Sequence, residues 1–137
     1  SNEVPRNLLH SQAMASEYMV RGIRGAITVP ENSPQSILAG TTELLEAMLA
    51  RNNITDHTFI ASIIFSTTPD LNAVFPAAAG RELGLTSVPL ICYQEIAVPG
   101  ALPLAVRILM HVNTRAPQDA IEHVYLRGAV VLRPDLV

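Results

Sequence analysis

Four charged side chains interrupt stretches that otherwise read as apolar strands. Arg24 sits inside Gly22-Ile23-Arg24-Gly25-Ala26-Ile27, and Arg107 inside Leu104-Ala105-Val106-Arg107-Ile108-Leu109-Met110. Glu95 closes Val88–Gln94, and Arg133 follows Ala129-Val130-Val131-Leu132. Burying an isolated ion is costly, so a charge in a central strand is either paired or faces a cavity. Guanidinium groups bind planar carboxylates through a two-pronged fork. Together these residues imply a mostly apolar pocket with several such forks and one carboxylate. Such a pocket suits a small organic polyanion that also carries a hydroxyl. The structural alternative pairs Arg107 with Glu95 and Arg24 with Asp70. Interior-looking carboxylates are too few to neutralise every arginine in this way.

Other catalytic devices are missing. Gly22 and Gly25 have the wrong spacing for a dinucleotide or phosphate loop. No serine stands in a Gly-x-Ser-x-Gly frame. His10, His57, His111 and His123 form no His-Glu-x-x-His motif. His111 reads as a strand-end residue, and His57 and His123 as surface residues. Cys92, in a hydrophobic strand, reads as a small core residue rather than a nucleophile. Catalysis by this set of residues is expected to proceed without a covalent intermediate or metal.

The elements that must position these residues follow from spacing. Val20–Val29 reads as a strand. Ser33 as N-cap and Pro34 at the first helical position open a helix that ends near Arg51. Thr58–Ser66 is rich in β-branched and aromatic residues and reads as a buried strand. Ala73–Leu83 predicts a short helix with Gly84 past its end. Val88–Gln94 and Leu104–Val112 read as strands, although the length of the second also allows a helix. Pro117–Tyr125 reads as a short helix and Ala129–Leu132 as a last strand. The order β-α-β-α-β-β-α-β predicts a two-layer α+β domain with one mixed β-sheet and helices packed on one face. Residues 1–18 show no clear period and are expected to be a flexible arm or leader; residues 19–137 form the domain.

Composition narrows the function classes. The chain has 137 residues, with 9 basic and 12 acidic side chains and a net charge of −3, which excludes a broad basic footprint for duplex nucleic acid. No apolar run approaches a membrane span, so a soluble chain is expected. The single cysteine excludes an intrachain disulfide and fits a reducing compartment such as the cytoplasm. Charged residues make up only 15% and hydrophobic ones 49%, too few charges to coat a small domain. Apolar surface is therefore expected to be covered by further copies of the chain. All nine basic residues are arginine.

Longer motifs point further. Val20-Arg21-Gly22-Ile23-Arg24-Gly25-Ala26, Thr68-Pro69-Asp70-Leu71, Ala73-Val74-Phe75-Pro76-Ala77, Arg81-Glu82, Gln94-Glu95, Pro117-Gln118-Asp119, His123-Val124-Tyr125-Leu126 and Leu132-Arg133-Pro134-Asp135-Leu136 resemble the AroH class of chorismate mutase. The likeness runs in order from Met19 to Asp135. It implies an α+β homotrimer with active sites between subunits. It also implies a Claisen rearrangement of chorismate to prephenate, on the route to phenylalanine and tyrosine, without metal or cofactor. By this resemblance Arg24 grips a substrate carboxylate and Arg107 hydrogen-bonds the ether oxygen. Glu95 accepts from the ring hydroxyl, Cys92 lies beside that hydroxyl, and Tyr125 contacts a carboxylate. Phe75 and Leu132 pack on the carbon skeleton, Arg81 and Arg133 add positive potential at the mouth, and the C-terminal segment closes over it. Where some relatives carry a lysine after Phe-Pro-Ala, this chain has Ala78. Two other readings compete: a small trimeric imine deaminase, whose signature is not matched, and a binding module for an anionic metabolite.

Overall fold

The computed structural model describes residues 17–134; the expectations for residues 1–16 and for the last three residues lie outside it. The described residues build five strands: β1 (Met19–Thr28), β2 (Ile60–Thr67), β3 (Leu90–Gln94), β4 (Ala105–Thr114) and β5 (Val124–Leu126). Two α-helices interleave with them, α1 (Pro34–Arg51) and α2 (Ala77–Glu82). Helix α1 starts where its sequence dictates. The Ser33 hydroxyl accepts from the Ser36 N–H at 3.1 Å, and Pro34 occupies the first turn. Gly84 follows α2 with φ +85°, a conformation that costs glycine little.

The strands form one mixed sheet in the order β3-β2-β4-β1-β5. Within it β4 runs antiparallel to both neighbours, while β1–β5 and β2–β3 pair in parallel. The crossovers β1–α1–β2 and β2–α2–β3 step in the same direction across the sheet. Right-handed crossovers in one direction put both helices on one face. The core lies on that face: Ile23, Ile27, Ile63, Phe65, Val106, Ile108 and Met110 of the sheet meet Ile37, Leu44, Leu45 and Met48 of α1. Alternation along each strand turns the intervening residues to the other face, which no helix among the described residues covers.

Two expectations are corrected. Pro117–Tyr125 is not a helix: it holds one 3₁₀ turn, Gln118–Ala120, and then enters β5. Ala129–Leu132 is not a strand but part of a 3₁₀ segment, Arg127–Leu132. The reason is tertiary. The edge of β1 takes Val124–Leu126 as its parallel partner. The Gly128 N–H donates to the Thr28 hydroxyl at 2.9 Å, which folds the following residues over the end of β1. No helix among the described residues is long and apolar enough to cross a membrane.

Candidate active site

One row of residues crosses the whole uncovered face. The register pairs Tyr93 with Ser66, Ser66 with Arg107, Arg107 with Ala26, and Ala26 with Tyr125. Each strand contributes one member. The next row sets Arg24 beside Leu109, and Leu109 beside Ile64. Arg24 and Arg107, read from the sequence as interior charges, are on central strands but stand on the open face, whereas Arg133 follows the 3₁₀ segment rather than a strand. Their strands bury the alternate residues, Ile23 and Ile27 on β1 and Val106 and Ile108 on β4.

A cavity of about 190 Å³ opens on these rows, lined by Arg24, Ile64, Ser66, Glu95, Arg107, Leu109 and Tyr125. Glu95 follows β3, and its N–H donates to the Thr67 carbonyl at 2.8 Å. Its carboxylate accepts from the Ser66 hydroxyl and lies 3.9 Å from Arg107 Nε. At 44% and 30% side-chain exposure, Arg107 and Glu95 are both open to a ligand. The structural pairing of Arg107 with Glu95 therefore forms, but loosely, and it leaves the terminal guanidinium nitrogens available. Arg24 does not pair with Asp70. Asp70 instead accepts from the Thr68 hydroxyl and from the Leu104 N–H at 2.9 Å. That bond fixes Leu104 at φ +53°, at the entry to β4.

A second, larger cavity of about 480 Å³ adjoins the first, sharing Arg24 and Tyr125, and adds Arg51, Glu122, His123 and Arg133. His123 is partly buried rather than a plain surface residue. Its Nδ1 accepts the Arg24 backbone N–H at 2.9 Å. Desolvation and, secondarily, the Arg24 charge hold its pKa below the usual histidine value. Phe75 and Cys92 lie elsewhere. They line a third cavity, of about 540 Å³, with Thr67, Leu71, Val74, Pro76 and Tyr93, and this cavity shares no residue with the first. Cys92 pairs in register with the core residue Phe65 and is half-buried. Arg81, in the last turn of α2, and Leu132, in the 3₁₀ segment, line none of these three cavities.

Sequence reading missed Ser66, His123 and Arg51. Period-two alternation would have found the first two: Ser66 shares a face with Ile64, and His123 shares one with Tyr125. Arg51 carries no local signal, because only the packing of α1 against the segment before β5 brings it to the site.

The family profile for type I chorismate mutases matches residues 20–136. The chain is 52% identical to the chorismate mutase AroH of Thermus thermophilus over 118 residues, 86% of this chain and 97% of that protein. It is 50% identical to the chorismate mutase AroH of Bacillus subtilis over 119 residues, 86% of this chain and 93% of that one. A solved chorismate mutase from Clostridium thermocellum superposes with a TM-score of 0.79 at 48% identity, covering 80% of this chain and 97% of the other. The guanidinium–carboxylate row on an uncovered sheet thus belongs to a known lineage: this chain is a member of the type I chorismate mutase family.

Proposed function

We propose that the protein rearranges chorismate to prephenate in the cytoplasm, with each active site completed at a seam between subunits of a homotrimer. The observation that carries this reading is the shared cavity of Arg24, Glu95, Arg107 and Tyr125. Chorismate carries two carboxylates, a ring hydroxyl and an enolpyruvyl ether. In the rearrangement the ether C–O bond breaks as a C–C bond forms, and no proton moves. Negative charge builds on the ether oxygen and positive charge on the ring. A fixed guanidinium at that oxygen stabilises the transition state more than the ground state. Arg107 takes this role, because it stands at the centre of the five-strand row and keeps free donors. Glu95, held by Ser66, accepts from the ring hydroxyl and faces the cationic ring. Arg24 and Tyr125 grip carboxylates and hold the side chain over the ring, which lowers the entropic part of the barrier.

Phe75, Cys92, Arg81, Leu132 and Arg133 complete the pocket: Phe75 and Leu132 against the carbon skeleton, Cys92 beside the hydroxyl, and the two arginines at the mouth. Phe75 is 73% exposed in the single chain and shares no cavity with Arg107. A neighbouring copy that brings its Phe75 and Cys92 to the Arg107 row removes that separation. Exposed Ile91, Tyr93, Ile96 and Val98, on and after β3, supply apolar surface for the same contact.

A millionfold acceleration needs about 8 kcal/mol, and one well-placed charged donor contributes about 3–4 kcal/mol. Chorismate absorbance is expected to fall on addition of the purified chain. Arg107→Ala is expected to slow the fall by about a hundredfold or more while folding is kept. Turnover within tenfold of wild type would remove Arg107 from the mechanism.

A further inference from the structure

We infer that Arg51 is a capture residue, drawing the substrate dianion into the outer cavity before it reaches the Arg107 row; this rests on the function proposed above. Arg51 ends α1, and its place is fixed by its neighbour. The Asn52 side-chain amide donates to the Met48 carbonyl and to the Glu122 carbonyl, each at 2.9 Å, and accepts from the Glu122 N–H at 2.8 Å. This clamp ties the end of α1 to the segment that leads into β5. It thereby sets Arg51 beside His123 and Tyr125 on the wall of the outer cavity.

The charge there runs against the molecule as a whole. The chain is net −3. Leaving Arg133 aside, the outer cavity still sets the guanidinium groups of Arg24 and Arg51 against the single carboxylate of Glu122. The two ion pairs among the described residues are Arg107–Glu95 and Arg127–Glu43, so neither Arg51 nor Arg24 spends its charge on a carboxylate there. The C-terminal end of α1 adds partial negative charge, which Arg51 opposes. Arg24 and Tyr125 line both cavities, so an anion held by Arg51 and Arg24 is already at the entrance to the inner one. A concave patch with an excess of positive charge concentrates anions and raises association in a salt-dependent way.

The test is steady-state kinetics with chorismate from about 20 mM to about 500 mM salt, which shortens the screening length several-fold. Arg51→Gln is expected to lower kcat/KM about fivefold at low salt, with the gap closing at high salt and kcat within about twofold of wild type. Arg51→Glu should widen the gap, and Arg51→Lys should restore most of the loss. The inference is overturned by equal kcat/KM at low salt, by a loss confined to kcat, or by a loss that salt does not change. Failure of Arg51→Lys to do better than Arg51→Gln would also overturn it, because that outcome belongs to a helix-end role in folding. A wild-type chain that leaves chorismate unchanged sinks the function itself instead.

Discussion

At the scale of single residues, the site depends on polar groups that hold its charges in place. His123 is the clearest case. Only an unprotonated Nδ1 can accept the Arg24 N–H. Its folded pKa is depressed below 6.5, first by desolvation and then by Arg24. A depressed folded pKa means that the unfolded chain binds the proton more tightly. The stabilisation is therefore present above the unfolded value and is lost as pH falls through the folded one. Melting temperature is expected to decline on acidification below about pH 6.5, the ordinary histidine value. His123→Gln, which keeps an acceptor but does not titrate, should flatten that decline. An unchanged slope would detach His123 from it. The charged residues of the site were legible in the sequence because each breaks an apolar run. The groups that aim them carry a weaker signal: alternation puts Ser66 on the face of Ile64 and His123 on that of Tyr125, but only the folded register shows which partner each one holds.

At the scale of elements, close packing of α1 on the sheet fixes the strand that carries Arg24. Gly40 of α1 faces Val29, and a Cβ there would sit 2.5 Å from Val29 Cγ1. In an exposed helix, glycine to alanine gains about 1 kcal/mol in propensity. Against a stiff β-branched side chain in a filled core, overpacking costs about 1–3 kcal/mol. The second effect wins, and Gly40→Ala is expected to be destabilising by about 1 kcal/mol, read from the denaturant midpoint. A stabilised variant would show that α1 can shift away from the sheet. Element prediction succeeded where local signals were strong, as at Ser33-Pro34 and along the β-branched run of β2. It failed from Pro117 to Leu132. There three residues make β5 only because the edge of β1 was open, and the valines expected to form a strand are held in a 3₁₀ turn by Gly128 and Thr28.

At the scale of the whole molecule, the low charge content predicted surface that needs a cover, and the single chain leaves it. Ile96 is 85% exposed, and Tyr93 and Ile91 stand out beside it. If neighbouring copies supply Phe75 and Cys92 to the Arg107 row, defects in the two halves must complement. Arg107→Ala chains and Phe75→Asp chains, each expected to be nearly inactive, should regain activity when unfolded together and refolded as mixed assemblies. Mixed chains that stay inactive would place the whole site within one subunit. The mixed sheet was readable from one chain; the proposed approach of Phe75 to Arg107 was not, because among the described residues of a single chain the two line separate cavities.

The row of Tyr93, Ser66, Arg107, Ala26 and Tyr125 takes one rung from each of the five described strands, and Tyr125 follows the other four in chain order. A ribosome-bound chain that has not yet released Tyr125 holds every other rung but lacks one wall of the proposed site. Stalled or clipped translation products should therefore be silent, and activity in a cell extract should count only chains synthesised through their final strand.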